Sequence, residues 1–201
     1  MTRRINEIFY SLQGEGAYTG RPAVFIRFSG CNLRCPFCDT DHLPYREMTD
    51  AEIVAEAARH GAALVVLTGG EPSLWIDDAF VAMLKEATGA EISIETNGTR
   101  PIPEGIDHVT LSPKTGISGL PDDLPIAITR ADEIKVVDLG QDLEPYFRLP
   151  CRGEGTRMYL QPCHVADPER NSANCRRSVE RVLADPRWTL SLQTHRYLNI
   201  P

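Results

Sequence analysis

Three cysteines lie within eight residues, at Cys31, Cys35 and Cys38, with the spacing Cys-x3-Cys-x2-Cys. They follow an apolar run that is typical of a strand, so a compact loop could bring their thiolates to one inorganic centre. Four-iron clusters normally take four cysteine ligands, and structural zinc takes four nitrogen or sulfur ligands. Three thiolates with no fourth cysteine nearby favour an iron–sulfur cluster that keeps one iron open for another ligand.

Two other interpretations of these cysteines stay open at this point. A disulfide with a spare thiol is disfavoured, because the thiols are tightly clustered and no secretory signal precedes them. Zinc is the stronger alternative, since His42 or Asp39 could complete a set of four ligands. The segment Thr68-Gly-Gly-Glu71-Pro72 further along the chain favours the iron–sulfur interpretation.

Composition limits the class of protein. The 201 residues fit a single domain spanning 1–201, shorter than the roughly 250 residues of a complete eight-fold barrel. Apolar residues make up 42% and charged residues 24%, as in ordinary globular proteins. A net charge of −7 gives no electrostatic reason to expect nucleic acid as a partner. With no apolar spanning segment or signal peptide, we expect no membrane association and a cytoplasmic location.

The elements that must position the cysteines alternate between strand and helix patterns. Thr49 and Glu52 form a capping-box signature for one helix, and further helices are predicted at 74–88 and Pro168–Ala184. Strands are predicted at 21–30, 64–68, 91–96, 108–111, 133–137, 157–160 and 188–192. Such alternation predicts right-handed βαβ units around a parallel sheet.

The polar and glycine-rich segments follow the predicted strands. Active groups of parallel α/β proteins lie in the loops that leave the carboxyl ends of the strands. The segments in those positions are the cysteine loop, 68–71, 95–98, 112–114 and 161–164. We therefore expect an α/β fold, an open partial (βα)6-type barrel, with these segments around a common mouth.

Several segments together resemble the radical S-adenosylmethionine (SAM) superfamily and, within it, the 7-carboxy-7-deazaguanine synthase family. The resemblance runs nearly end to end, through 7–16, 27–31, 38–40, 68–72, 94–98, 112–114, 133–137 and 193–201. It implies a trimmed radical SAM core and a Mg2+-dependent radical ring contraction. In that reaction 6-carboxy-5,6,7,8-tetrahydropterin becomes 7-carboxy-7-deazaguanine with release of ammonia, on the route to queuosine and related deazapurines, and SAM is regenerated.

The resemblance also implies roles for individual residues. Cys31, Cys35 and Cys38 would hold a [4Fe-4S] cluster, and Thr40 would bind Mg2+. Contacts to SAM would come from Phe37, Cys38, Asp39, Gly70, Ser112, Pro113, Lys114, Gln161, Pro162, Cys163 and His164. Glycines at 69 and 70 would suit bare backbone that accepts from the amino group of SAM. Contacts to the pterin would come from Leu12, Gln13, Gly14, Arg27, Thr68 and the terminal carboxylate of Pro201.

Plainer interpretations exist for several of these residues. Arg27, Lys114 and Lys135 could be solvated surface charges, the usual state of such side chains. Without the resemblance, Asp39 and Asp41 would be stronger candidates than Thr40 for a Mg2+ ligand. The remaining cysteines, Cys151, Cys163 and Cys175, recur at intervals of twelve, which favours buried or incidental thiols over an auxiliary cluster.

The function and partners also have alternatives. A glycyl-radical-enzyme activase would carry a similar cysteine loop, but it would act on a protein and consume SAM. A non-catalytic zinc module or an electron carrier would not need a whole α/β domain with five segments converging on the cysteines. The resemblance further implies a small-molecule pterin substrate, an external flavodoxin-like electron donor and a homodimer.

Overall fold

A computed structural model describes all 201 residues, and nine strands in one sheet form its centre. The strands are β1 (Thr2–Leu12), β2 (Pro22–Phe28), β3 (Arg46–Thr49), β4 (Leu64–Gly69), β5 (Glu91–Thr96), β6 (His108–Leu111), β7 (Ala131–Asp138), β8 (Arg152–Pro162) and β9 (Thr189–Leu190). The α-helices are α1 (Asp50–Ala58), α2 (Asp78–Thr88), α3 (Pro168–Ala184) and α4 (Thr194–Leu198), with short 3-10 turns at Gly16–Tyr18, Pro72–Leu74 and Glu144–Arg148.

The sheet is mixed and open. Its strand order is β3-β1-β2-β4-β5-β6-β7-β8-β9, and no pairing joins β9 back to β3. From β2 to β9 every neighbouring pair is parallel, whereas β1 is antiparallel to both β2 and β3. The parallel part contains six strands of four residues or more plus the two-residue β9. The predicted open, six-fold α/β architecture is confirmed, with a two-strand antiparallel extension at one edge.

The helices begin where the sequence supplies caps. The Thr49–Glu52 capping box is formed at α1, as predicted, and Asp167 caps α3 at its predicted start. The second helix is shorter than predicted, because Pro72–Leu74 forms a separate 3-10 turn and Asp77 caps α2. No α-helix occupies the connections β5–β6, β6–β7 and β7–β8. None of the helices has the length and apolarity required to cross a bilayer.

The two faces of the sheet differ in chemistry. The outer face carries the main core, in which Ile26, Leu67 and Ile94 are fully buried against side chains of α1 and α2 such as Ile53 and Phe80. The alternate residues of the strands point into the concave face. There, apolar packing is limited to a small cluster of Ala23, Phe25, Leu64 and Val66. The rest of the concave face is polar and is available for a site.

The loop between β1 and β2 folds into this concave face. Gln13 and Gly20 close its ends, since the Gly20 N–H donates to the Gln13 carbonyl at 2.7 Å. The Ala17 N–H donates to Glu133 on β7 at 2.8 Å. Gly16 has a φ of +64°, and a Cβ there would lie 2.2 Å from Glu133 Oε1. Glycine is therefore required where this loop meets the sheet.

Helix α3 is attached to the sheet mainly by polar contacts at Asp138, the last residue of β7. The Asp138 carboxylate is fully buried and accepts from Ser178 Oγ at 2.7 Å and from the Arg181 guanidinium at 2.6 Å. We expect Asp138→Ala to lower the free energy of unfolding by about 3 kcal/mol, because both helix groups lose a buried charged acceptor. Urea denaturation measures this change. Asp122→Ala, at an exposed loop carboxylate, should leave the midpoint nearly unchanged; equal effects of the two substitutions would contradict the anchoring role.

Candidate active site

A cavity of about 540 Å³ opens at the carboxyl ends of the parallel strands. This volume is in the range of small-molecule sites. Of the residues assigned to the site from the sequence, only Pro113 does not line the cavity, and it is buried. The lining residues from that set are Leu12, Gln13, Gly14, Arg27, Cys31, Cys35, Phe37, Cys38, Asp39, Thr40, Thr68, Gly70, Ser112, Lys114, Gln161, Pro162, Cys163, His164 and Pro201. The predicted common mouth is thus present, although its individual roles stay predictions.

The cysteine loop is irregular and depends on contacts with neighbouring loops. The Gly30 N–H donates to the His42 carbonyl at 3.0 Å, which closes the loop on itself. The Arg34 N–H donates to the Ser118 carbonyl at 3.0 Å, which joins it to the loop after β6. All three thiols face the cavity and are free. The neighbouring loops therefore determine where the thiols lie.

Glu71 holds the loops after β4 and β5 together. Its carboxylate is 1% exposed and accepts from Ser73 N at 3.0 Å, Thr96 Oγ1 at 2.7 Å and Asn97 N at 2.7 Å. Asn97 in turn donates from Nδ2 to Asn32 Oδ1 at 3.0 Å, beside Cys31. The Thr-Gly-Gly-Glu-Pro segment thus positions the cysteine loop indirectly, through the loop after β5.

Gly70 is required by packing between two loops. A Cβ on Gly70 would lie 2.0 Å from the Gly30 carbonyl oxygen, next to Cys31. Even alanine would therefore push the loop after β4 away from the cysteine loop. The resemblance implies contact of this glycine with the amino group of SAM, but the close approach of the Gly30 backbone already excludes any side chain.

The cysteine environment fits a cluster better than the proposed zinc set. The Leu33 N–H donates to Cys31 Sγ at 3.4 Å, as a thiolate ligand can accept. Asp39, one proposed zinc ligand, instead accepts from Gln193 and Arg196. No three His, Cys, Asp or Glu side chains are grouped so that they could hold one ion. A four-iron cluster does not require the three thiolates to converge on one ion, because each thiolate binds a separate iron.

Burial affects the protonation of the thiols. It raises the pKa of Cys31 and of Cys35, and at Cys35 the nearby Lys114 ammonium acts in the opposite direction. Burial also lowers the pKa of Lys114, whose Nζ donates to the Ser112 carbonyl at 2.9 Å. Loading of the loop with iron must therefore displace protons from both thiols.

Arg27 faces the cavity, so it is not a solvated outer-face residue. Its side chain is 22% exposed, and Nε donates to Glu7 Oε1 at 2.7 Å. The guanidinium carbon lies 5.5 Å from the centroid of Phe9, which stacks on Phe25. The rest of the planar donor group is held at the cavity wall, where it could receive a carboxylate of a ligand.

Lys135 is buried beneath the cavity, in contrast to its possible assignment as a surface lysine. Its side chain is 5% exposed, and Nζ donates to Glu15 at 2.5 Å and to Glu95 at 2.9 Å. Burial would lower the pKa of Lys135, but the surrounding carboxylates, Glu15 first, raise it above its ordinary value. Burial, opposed by Lys135, raises the pKa of Glu95 to about 7. The floor of the site is thus a buried charge network.

The C-terminal segment covers the β1–β2 loop. The Thr194 N–H and hydroxyl both donate to the Gly14 carbonyl at 3.0 Å. Ser11 Oγ donates to an oxygen of the Pro201 terminal carboxylate at 2.9 Å, so the end of the chain lies at the cavity. The strand predicted at 188–192 is reduced to Thr189–Leu190, and the residues after it form the short helix α4.

The other candidate ligands are dispersed. Thr40 and Asp41 both line the cavity, and the Asp41 carboxylate accepts from the Leu43 N–H at 3.2 Å. The later cysteines do not form a group: Cys151 is in the main core, Cys163 lines the cavity and Cys175 lies on α3. Their separation disfavours an auxiliary cluster.

The cavity lining also includes polar residues that were not assigned from the sequence, among them Glu15, Glu95, Gln193 and Arg196. Each lies in one of the segments that carry the family resemblance, yet none has a residue type or spacing that by itself indicates contact with a cofactor or substrate. Their importance comes from contacts between segments far apart in the chain, such as Gln193 with Glu15. Only strand parity, which directs Glu95 to the same face as Lys135 on the next strand but one, could have signalled a buried pair.

Comparisons with known proteins agree with this geometry. Residues 25–116 match the Radical SAM superfamily. The chain is 54% identical to 7-carboxy-7-deazaguanine synthase of Bacteroides thetaiotaomicron and 41% identical to that of Nitratidesulfovibrio vulgaris, with all of each chain covered. The crystal structure of QueE from Escherichia coli superposes with a TM-score of 0.74 at 30% identity, covering 96% of this chain and 94% of that one. The chain therefore belongs to the 7-carboxy-7-deazaguanine synthase family of radical SAM enzymes.

Proposed function

We propose that this chain converts 6-carboxy-5,6,7,8-tetrahydropterin into 7-carboxy-7-deazaguanine and ammonia. The observation that carries the proposal is the single cavity that joins the cysteine loop to Arg27, Thr68 and the end of the chain. Such a cavity allows a cofactor at the cysteines and a small anionic substrate beside Arg27 to meet. The names of the relatives support the same reaction.

The cofactors are a [4Fe-4S] cluster, SAM and Mg2+. Cys31, Cys35 and Cys38 would hold the cluster, which together with SAM supplies the abstraction of a hydrogen atom from the substrate when both are bound. Contacts to SAM would come from Phe37 to Asp39 in the cysteine loop. Further contacts would come from Gly70 and from the segments 112–114 and 161–164, which lie at the carboxyl ends of β4, β6 and β8. The protein would hold and align these groups and keep water away from the reacting bond.

Thr40 would give its hydroxyl oxygen to Mg2+. Two observations support Thr40 over the neighbouring aspartates: the Asp39 carboxylate is bound by Gln193 and Arg196, and the Asp41 carboxylate accepts from the Leu43 N–H. Mg2+ keeps several waters and often relies on oxygens of the substrate, so one hydroxyl from the protein is sufficient.

Arg27 would bind the carboxylate of the pterin. Its guanidinium has five N–H donors and one recorded carboxylate partner, Glu7, whose side chain is 49% exposed. Glu7 can return to water when a ligand carboxylate arrives. Leu12, Gln13, Gly14, Thr68 and the Pro201 carboxylate would contact the rest of the pterin.

We further propose that residues 1–201 act as one domain in a cytoplasmic homodimer, with electrons from an external flavodoxin-like donor. Exposed apolar side chains on the last two helices, including Leu183 on α3 and Leu198 on α4, are available for contact between protomers. The sheet and cavity described here would be complete within each protomer.

The reaction itself can be tested directly. Anaerobically reconstituted protein, incubated with the carboxypterin, SAM, Mg2+ and a reductant, should form 7-carboxy-7-deazaguanine without net loss of SAM, as measured by chromatography. The protein should be brown, with broad absorption near ~400 nm from the cluster. Cys35→Ala should lack both colour and product. Stoichiometric consumption of SAM that needs no pterin would instead favour the activase alternative.

Arg27→Ala should raise KM for the pterin by roughly 10- to 100-fold, because a charge-assisted contact to the substrate is lost. Steady-state kinetics measure this change. The control is Arg21→Ala. Arg21 lies just before the same strand, forms an ion pair with Glu91 and does not line the cavity. An unchanged KM for Arg27→Ala would remove Arg27 from the substrate site.

Deletion of Pro201, or a C-terminal tag, should lower kcat/KM for the pterin by about tenfold or more, because the terminal carboxylate is displaced from the cavity. The iron content per chain should not change, since the cysteine loop lies on another segment. An N-terminal tag is the control. Full activity of both altered C termini would exclude a ligand role for the chain end.

A further inference from the structure

The side chain of Gln193 joins two segments that belong to different parts of the site. Nε2 donates to Glu15 Oε1 at 2.8 Å and to Asp39 Oδ2 at 2.9 Å. Oε1 accepts from Arg196 Nε at 2.9 Å. Both amide hydrogens and one lone pair of the oxygen are therefore in use. Glu15 belongs to the β1–β2 loop, whereas Asp39 belongs to the cysteine loop.

The contact at Asp39 fixes the end of the cysteine loop. Arg196 donates to the same Asp39 Oδ2 at 2.7 Å, so two side chains of the C-terminal segment hold this one carboxylate. Asp39 stands directly between Cys38 and Thr40. Its position therefore determines where the third thiol and the following hydroxyl can lie.

The contact at Glu15 is fixed from below. Glu15 also accepts from Lys135 Nζ at 2.5 Å, and Lys135 rises from the middle of β7 with a side chain that is 5% exposed. A continuous set of hydrogen bonds thus runs from the sheet through Lys135, Glu15 and Gln193 to Asp39. The buried ammonium of Lys135 anchors one end of this set, and the irregular cysteine loop is held at the other end through Asp39.

The amide is suited to this position because of its charge. The carboxylates of Glu15 and Asp39 converge on the Gln193 amide nitrogen. Lys135 forms an ion pair with Glu15, and Arg196 forms one with Asp39. A neutral donor can bridge the two carboxylates, whereas an acidic side chain of the same size would add a third negative charge between them. The geometry is therefore sensitive to the change from amide to carboxylate.

We propose that Gln193, with Arg196, is a positioning residue that sets the separation between the cysteine loop, on the cofactor side, and the β1–β2 loop, on the substrate side. This inference rests on the proposed function. It differs from the proposed role of Pro201, because Gln193 would act through Asp39 and Glu15 and need not contact the substrate. If this separation is incorrect, SAM should be cleaved without formation of product, because the group that abstracts the hydrogen atom would be out of reach of the substrate C–H bond.

The test compares Gln193→Glu with Asn199→Asp. The second variant adds the same charge to an exposed residue of the same segment, and aspartate tolerates the left-handed backbone there. Hydrogen exchange of the protein without cofactors should show about tenfold faster exchange of the Cys38 amide, which donates to the Cys35 carbonyl at 3.1 Å, in Gln193→Glu and no change in Asn199→Asp. The reconstituted Gln193→Glu enzyme should release several-fold more 5′-deoxyadenosine per product, with iron content near that of the wild type.

Arg196→Ala provides a milder second variant if Gln193→Glu fails to fold, and Arg196→Lys should restore part of the protection. Unaltered exchange of the Cys38 amide in a folded variant, or faster exchange with an unaltered ratio of 5′-deoxyadenosine to product, would overturn the proposal. If the wild-type protein forms no deazaguanine, the proposed function fails. The exchange measurement then still decides whether Gln193 holds the cysteine loop.

Discussion

The organisation of the site depends on the ion pairs that the buried ammonium of Lys135 forms with Glu15 and Glu95. A charge that is 5% exposed is stable only when it is paired, and Glu15 and Glu95 provide that pairing. Glu95 comes from the sheet, but Glu15 comes from the loop between β1 and β2. The ammonium therefore draws this loop into the concave face, and the C-terminal segment packs on the loop in turn. Lys135 thereby connects the β1–β2 loop, and through it the C-terminal segment, to the sheet.

This polar floor also accounts for the unfilled concave face of the open sheet. A closed parallel barrel fills its interior with layers of branched apolar side chains. Here only Ala23, Phe25, Leu64 and Val66 form such a cluster, and the strands from β5 onward present polar side chains to the same face. Side chains of this kind leave space that a ligand can occupy. Stability comes instead from the outer face, where 28 buried residues form the main core.

Local sequence information was sufficient for the strands β2 and β4–β8 and for the starts of α1 and α3, but not for the edge strands β1 and β3 or for the long-range contacts. The capping box at Thr49 and the Asp167–Pro168 start of α3 depend on neighbours three residues away, so their patterns were decisive. The cysteine spacing, likewise, indicated a cluster with an open position. The inward fold of Gly16, the packing of Gly70 on Gly30 and the bridge at Gln193 depend on residues from distant segments. No local pattern encodes those contacts, and resemblance supplied roles without their physical reasons.

In the proposed substrate-binding role of Arg27, its pairing with Glu7 would favour selectivity over affinity. An unpaired guanidinium at the cavity wall would gain the full strength of a new carboxylate contact. If a substrate carboxylate displaced Glu7 from Nε, it would gain only the difference between its own contacts and those it replaces. Glu7 is half-exposed and is rehydrated at little cost, whereas a neutral ligand would leave Arg27 with Glu7 and gain nothing. In this role the pair would discriminate by charge, and tight binding would come from the remaining contacts in the cavity.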